Sequence, residues 1–403
     1  MTSPPFRLGV NYWPARTAMR WWSRFDAGEV AEDLARIAAA GLDSVRFFLL
    51  WEDFQPDPQR VDPEMLGRLT QVADAAAGAG LAIMPTLFTG HMSGVDWIPA
   101  WALGGSDRDD RFRVVSSGEV VEAKLRNWYS DPAMVEAQAL LAGEAAGALS
   151  GHEALLAWDL GNENSNCVIP PDTSRGRRWL GRMTESIRAA DANVLVTVGL
   201  HMEDLEENRN LGPAEVAEAC DFLTMHGYAI YAPWAEGGTD ASLVPFLAII
   251  TRWLGNGCDV MFSEFGLPTY RPGDPSGERD AVRSPILVAE EDAARYTREV
   301  LQGLREVGAT GAMLWCYADY DPAMWSAAPL DYSVHERSFG LWRSGGSAKP
   351  SVAEVSAFVG REQVTVPAED WIDIDRATYW QRPSAQLPRL YGRYLALSRS
   401  KTS

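Results

Sequence analysis

The sequence has no run of about 18 apolar residues, so no segment of it reads as a membrane-spanning helix. Its first residues, Met1 to Arg7, lack a basic stretch followed by an apolar one, and no secretory signal is expected. Cysteine is scarce: Cys167, Cys220, Cys258 and Cys316 are widely spaced, with no CxxC pair and no zinc-type pattern. Three of them fall in or beside expected strands, where a free thiol acts as a small apolar group, and a reduced, cytoplasmic setting is expected. Histidines occur singly, with no HxxEH or HxH arrangement, so neither a metal nor another cofactor is expected. Basic residues are outnumbered, 36 against 55 acidic ones, for a net charge of -19 with no Lys/Arg-rich block. Such a surface repels polyanions, which excludes nucleic acid and anionic membranes as partners. Linkers, low-complexity runs and short-period repeats are also missing.

What is present is a regular alternation. With 403 residues and 46% hydrophobic side chains, the chain can bury a large core. Leu8 to Trp13 reads as a first strand. Asp26 and Glu29 then form a D-x-x-E capping signal for a helix whose stripe is Val30, Leu34, Ile37 and Ala38. Ser44–Trp51 and Leu81–Phe88 read as strands two and three, separated by a helix that Asp62 and Pro63 open. After a long loop, Asp131 and Pro132 start the next helix. Ala154–Leu160, Val194–Leu200, Asp221–Met225, Asp259–Ser263 and Ala312–Trp315 complete eight strands. Helices are expected around Thr173–Arg188, Ala241–Leu254, Glu290–Val307 and Pro350–Val359.

Continuous apolar strands separated by helices mean a parallel sheet covered by helices. An open doubly wound sheet would carry a glycine-rich phosphate loop after its first strand, where this chain has Asn11 to Pro14. The pattern predicts an α/β fold, a (β/α)8 TIM barrel over residues 1–360 with enlarged C-terminal-face loops at Thr89–Ser130 and Ala318–Gly346. Residues 361–403 form an aromatic-rich C-terminal tail. Trp371, Tyr379, Trp380, Tyr391 and Tyr394 need cover from water, so the tail is expected to dock on the barrel or at a subunit interface, and a homo-oligomer is compatible with this.

In such a barrel the active site lies at the carboxyl ends of the strands. The polar residues found there are Asn11, Arg46, His91, Asn162, Glu163, His226, Tyr228 and Glu264, with Trp315 beside them. Glu163 ends the buried run through Trp158 and Leu160, and Glu264 ends a second run that starts at Asp259. Two glutamates on separate strand ends can share one pocket, the equipment of glycoside hydrolysis. The Gly161-Asn162-Glu163 and Ser263-Glu264-Phe265-Gly266 endings resemble the signature of clan A retaining glycoside hydrolases, above all family 5 and the related β-mannanases. The resemblance spans about Leu8 to Val359. It takes in Arg46, His226 to Tyr228, Trp315, the stretch Asn127 to Pro132 that includes Trp128, and Phe339 to Leu341 with Lys349-Pro350.

That resemblance implies Glu163 as acid/base and Glu264 as nucleophile, with carboxyls about 5–5.5 Å apart. It implies Arg46 and Tyr228 as donors to Glu264, Asn162 at the sugar 2-hydroxyl, and His226 tuning Glu163. Trp315 is expected to floor the subsite where the bond breaks, and His91 to reach the sugar. Proximity and desolvation are expected to raise the pKa of the acid. Sixteen tryptophans, many in expected loops, add stacking surfaces for pyranose rings. The long loops and the expected compartment favour short substrates and an exo mode, and the resemblance then implies an exo-acting β-mannosidase on short β-1,4-linked manno-oligosaccharides or Man-β-1,4-GlcNAc fragments. An endo-β-1,4-mannanase or endoglucanase is the alternative, and a non-catalytic sugar-binding barrel a remote one.

Overall fold

The structure is a computed structural model that describes residues 4–107, 111–284 and 286–402. Eight strands close into a parallel barrel: β1 (Arg7–Tyr12), β2 (Ser44–Phe48), β3 (Ala82–Thr86), β4 (Ala157–Asn162), β5 (Leu195–His201), β6 (Leu223–His226), β7 (Val260–Phe265) and β8 (Gly311–Leu314). Each pairs with its sequence neighbour, and β1 pairs with β8 to remove the last open edge. The expected (β/α)8 barrel is the observed one.

The helices start where the sequence supplies caps. Asp26 accepts hydrogen bonds from the Gly28 and Glu29 amides at 3.0 and 3.1 Å, opening α1 (Ala27–Ala39). Glu29 does not return the bond; its carboxylate pairs with Arg16, so only half of the capping box forms. Asp62 and Asp131 cap α2 (Pro63–Ala79) and α3 (Pro132–Ala148), each with proline at the first turn. α4 (Thr173–Ala190), the short α5 (Pro213–Ala219), α6 (Leu243–Leu254), α7 (Glu290–Glu306) and α8 (Pro350–Phe358) complete the ring. Val30, Leu34 and Ile37 of α1 are fully buried, and each such side chain contributes about 1.5–3 kcal/mol. A separate small cluster of Met84, Ala157, Met261 and Met313 fills the barrel interior.

Two loops are elaborated on the carboxyl face. Between β3 and α3, the segments Gly90–Met92, Val95–Trp97, Arg113–Ser116 and Glu119–Val121 form a four-stranded sheet. The loop after β8 is anchored by buried Lys349, whose Nζ donates to Asp319 Oδ1 at 2.6 Å, Thr269 Oγ1 at 2.7 Å and the Ser338 carbonyl at 2.9 Å. The tail forms α9 (Arg376–Gln381) and α10 (Pro383–Thr402), which pack on the barrel's own loops and on α6. There Tyr379 donates to the Leu205 carbonyl at 2.6 Å, and Tyr391 stacks near Phe246, 4.9 Å between ring centres. Among the described residues, no helix is long and apolar enough to cross a membrane.

Candidate active site

The carboxyl ends of β4 to β8 converge on one cleft of about 410 Å³, within the usual size range of small-ligand sites. Sheet register sets the order. His201 stands beside His226 across β5 and β6, and His226 beside Glu264 across β6 and β7. Glu163 follows β4 directly and takes a left-handed backbone conformation, φ 49° and ψ 41°. A residue with a Cβ adopts that conformation at a cost, and the Glu163 amide is held there by the Gly199 carbonyl at 3.0 Å. Gly199 itself has no room for a side chain. A Cβ there would stand 2.8 Å from the Gly161 carbonyl oxygen and 3.0 Å from Arg46 Nη2.

Glu264 is 3% exposed and fully engaged. Its Oε1 accepts from Arg46 Nη1 at 2.5 Å, and its Oε2 from the Tyr228 hydroxyl at 2.9 Å. Such donors fix the direction of the carboxylate. Burial and the nearby Glu264 charge push the Tyr228 hydroxyl well up, so it remains a donor. Arg46 is wholly buried. Its Nε and Nη2 donate to Asp159 Oδ2 at 2.9 and 2.6 Å, its Nη1 also to Asn11 Oδ1 at 3.0 Å, and its Nη2 to Asn162 Oδ1 at 2.7 Å. Burial opposes the Arg46 charge, but Asp159 and Glu264 outweigh it and hold the guanidinium above its ordinary value.

Glu163 Oε1 accepts from His226 Nδ1 at 2.9 Å, and Asn166 Nδ2 approaches Oε2 at 3.2 Å. His226 Nε2 is buried without a partner, so the proton belongs on Nδ1, because an orphaned N–H would cost more than an orphaned lone pair. Donor atoms of Glu163, His226 and Glu264 all lie within 4.8 Å of one another. That spacing brings the two carboxylates too close for a water to stand between them, as inverting chemistry requires, and fits direct attack by one of them. The trio is also the cluster of metal-capable donors among the described residues. The Arg46 guanidinium against Glu264 opposes a second cation there, so the arrangement suits acid–base and nucleophilic work better.

One electrostatic expectation is reversed. Burial raises the Glu163 carboxyl, but the imidazoles of His201, His226 and His91 outweigh it and hold the group below the usual carboxylate range. The sequence could not show three histidines converging on this one acid.

The other expected site residues divide by position. His91, Asn162, His226, Tyr228 and Trp315 line the cleft with the two glutamates. His91 spends Nδ1 on Asp96 at 2.8 Å, and Asn162 Nδ2 donates to the His91 carbonyl at 2.6 Å. Two expectations need correction. Arg46 does not line the cleft; it lies behind Glu264 and Asn162 and positions both. Trp128 is 1% exposed and packs against Trp51 and Tyr129, outside the cleft. The wider tryptophan signal fails for the same reason: Trp13, Trp51, Trp97 and Trp342 are also buried in the core, and among the tryptophans Trp315 alone lines the cleft.

Several cleft residues were missed. His201 follows directly on the run read as strand five, and Glu336 sits in a polar loop that looks solvated. Asp159, which holds Arg46 behind the cleft, was missed too although it carried a readable signal as the single acid in an apolar strand. At the outer rim, Arg113 of the β3 excursion meets Asp331 of the β8 loop with two hydrogen bonds of 2.7 and 3.0 Å and lies over the Tyr332 ring. Those contacts tie the two enlarged loops together beside Tyr332, which lines the cleft.

A closed parallel barrel with paired glutamates on the ends of β4 and β7 defines a barrel glycoside hydrolase. The profile of the cellulase family, glycosyl hydrolase family 5, matches residues 9–319, and the chain belongs to that family. Mannan endo-1,4-beta-mannosidase 2 of rice (Oryza sativa subsp. japonica) is 26% identical over 188 residues, 40% of this chain and 39% of that protein. The chain thus spans about two fifths of that relative's length. Among solved structures, GH5_18 from Streptomyces cattleya in complex with GlcNAc superposes with a TM-score of 0.82 at 22% identity, covering 99% of this chain and 92% of that one. A variant of that protein has been solved in complex with Manβ1-4GlcNAc, with a TM-score of 0.80 and 22% identity over 98% of this chain and 92% of that one. The exo-beta-1,4-mannosidase Op5Man5 from Opitutaceae bacterium strain TAV5 gives a TM-score of 0.71 at 27% identity, covering 88% of this chain and 59% of that one.

Proposed function

We propose that the protein is an exo-acting β-mannosidase that releases the terminal sugar from short β-1,4-linked oligosaccharides, Manβ1-4GlcNAc among them. The observation that carries this reading is the close pair Glu163 and Glu264 on a cleft lined by both enlarged loops, which Arg113 and Asp331 join. Support for the sugar comes from the likeness to proteins described as an exo-β-1,4-mannosidase and as a Manβ1-4GlcNAc complex.

In the first step Glu264, aimed by Arg46 and Tyr228, attacks the anomeric carbon while Glu163 protonates the departing oxygen. In the second, Glu163 takes a proton from water, which releases the sugar with retained configuration. Glu163 begins below the usual carboxylate range, so its protonation depends on the filled cleft. Substrate strips water from the carboxyl, and the deeper burial acts on it in the raising direction, against the hydrogen bond from His226. Asn162 and His91 contact sugar hydroxyls, and Trp315 carries the ring's apolar face.

Defined manno-oligosaccharides and Manβ1-4GlcNAc test the proposal. Mannose as the sole early product is expected; mixed oligomers would instead indicate an endo-mannanase, and preferred cleavage of aryl β-glucoside over β-mannoside a glucanase.

A further inference from the structure

Glu336 is a carboxyl in the cleft that the double displacement does not use. It sits on the turn Val334–Ser338 in the loop after β8 and lines the cleft with Glu163, Glu264 and Trp315. The residue is 7% exposed. Its Oε1 faces the Tyr231 hydroxyl and His335 Nε2, each at a marginal 3.4 Å. Its Oε2 is buried with no hydrogen-bond partner. A buried carboxyl oxygen without a donor is costly, and folded proteins rarely keep one.

A second orphan lies beside it. Ser93 Oγ is likewise buried and unpaired, lines the same cleft, and sits at φ 56° in the turn of the β3 excursion. Two orphan polar atoms, one from each enlarged loop, therefore line the same cleft. The turn holding Glu336 is fixed from both sides: Arg337 Nε donates to the Leu330 carbonyl at 2.8 Å and Lys349 Nζ to the Ser338 carbonyl at 2.9 Å. Burial raises the Glu336 carboxyl, the His335 charge lowers it and the Glu264 charge adds to the rise. Its closeness to Trp315 and Glu264 puts it on the glycone side of the scissile bond.

We infer that Glu336 is a specificity-determining residue, whose unpaired Oε2 accepts hydrogen bonds from hydroxyls of the terminal sugar remote from the anomeric carbon. The hydroxyl donors meet the need of a buried acceptor, and the carboxyl occupies the space that a further sugar unit would take. Recognition of a chain end and exclusion of a longer chain then come from one side chain. This rests on the exo-glycosidase reading above.

The test pairs enzyme and substrate deletions. The parent substrate is whichever aryl β-glycoside, mannoside or glucoside, the wild type cleaves, compared with its 4-deoxy and 6-deoxy forms. The wild type should lose about 100-fold in kcat/KM on at least one deoxy form, the scale of a hydrogen bond to a charged group. Glu336→Ala should lose about as much on the parent and then less than about threefold more on that deoxy form, with Glu336→Gln between the two. An equal deoxy loss in wild type and variant overturns the inference, and so does a wild type indifferent to both deletions. If Glu336→Ala does not fold, Glu336→Gln is read by the same criterion. A wild type inactive on both parents defeats the proposed function instead, and the same cycle is then read as binding of methyl β-mannoside and its deoxy forms.

Discussion

His226 Nδ1 stands 2.9 Å from Glu163 Oε1 and 3.7 Å from Glu264 Oε1, so one imidazole bridges the two carboxylates. With its proton on Nδ1 it donates to Glu163, which fixes the carboxyl's direction. His226→Ala is expected to lower kcat on aryl β-glycosides by about 100-fold, the usual scale for a displaced acid/base, with a smaller effect on KM. Glu163→Ala should slow poor leaving groups strongly and activated aryl ones much less, because these need little protonation. Rates across a leaving-group series check both; a uniform loss would argue against the acid role.

Arg46 pairs with both Asp159 and Glu264 inside the barrel. Arg46→Ala strands two buried carboxylates and should destabilise by about 3–5 kcal/mol, seen in denaturant midpoints. Arg46→Lys keeps the charge but cannot reach Asp159, Asn162, Asn11 and Glu264 together, so it should fold better than the alanine variant yet retain little activity.

Asp53 predicts a pH effect away from the cleft. Burial and the neighbouring Glu52 raise its carboxyl from 3.8 to about 7, and its Oδ2 has no partner. Between those values the folded chain keeps a proton that the unfolded chain has released. Stability from this group is therefore present below pH 3.8 and lost as pH rises through about 7. Asp53→Asn should melt higher than wild type at pH 8 by an amount on the order of 2 kcal/mol, and the gap should close by pH 4. Equal pH slopes in the two proteins would contradict this.

Arg113 and Asp331 are each about a third exposed, so breaking their pair should cost at most about 1 kcal/mol in stability. Their effect is expected in function. Asp331→Ala should raise KM for a disaccharide several-fold and admit longer chains, read as new oligomeric products from mannopentaose beside an unchanged melting temperature.

The barrel was legible because each strand is a short apolar run bounded by caps such as Asp62 and Asp131, which act locally. The strand ends were read one or two residues short at β4 to β7, where Asn162, His201, His226 and Glu264 still belong to strands. A polar residue at a strand end looks like loop in sequence, although here its backbone still pairs in the sheet. The sheet in the β3 excursion was not legible, because its segments are three or four residues long and Val95 pairs with Arg113 across the intervening loop. The tryptophans misled for a related reason: Trp51, on a short helical turn after β2, and Trp128, in the loop before α3, both fold back and are buried. Glu163 and Glu264 were legible from motif, whereas Glu336 and Asp331 became meaningful only once two distant loops touched.

Mechanism-based labelling tests the central claim most directly. A 2-deoxy-2-fluoro-β-mannosyl fluoride, which forms the glycosyl-enzyme but turns it over slowly, is incubated with the wild type, followed by proteolysis and mass mapping of the adduct. The structure predicts a single sugar on the peptide carrying Glu264. A label on another residue, or continued turnover of aryl β-mannoside with no covalent adduct, would contradict it.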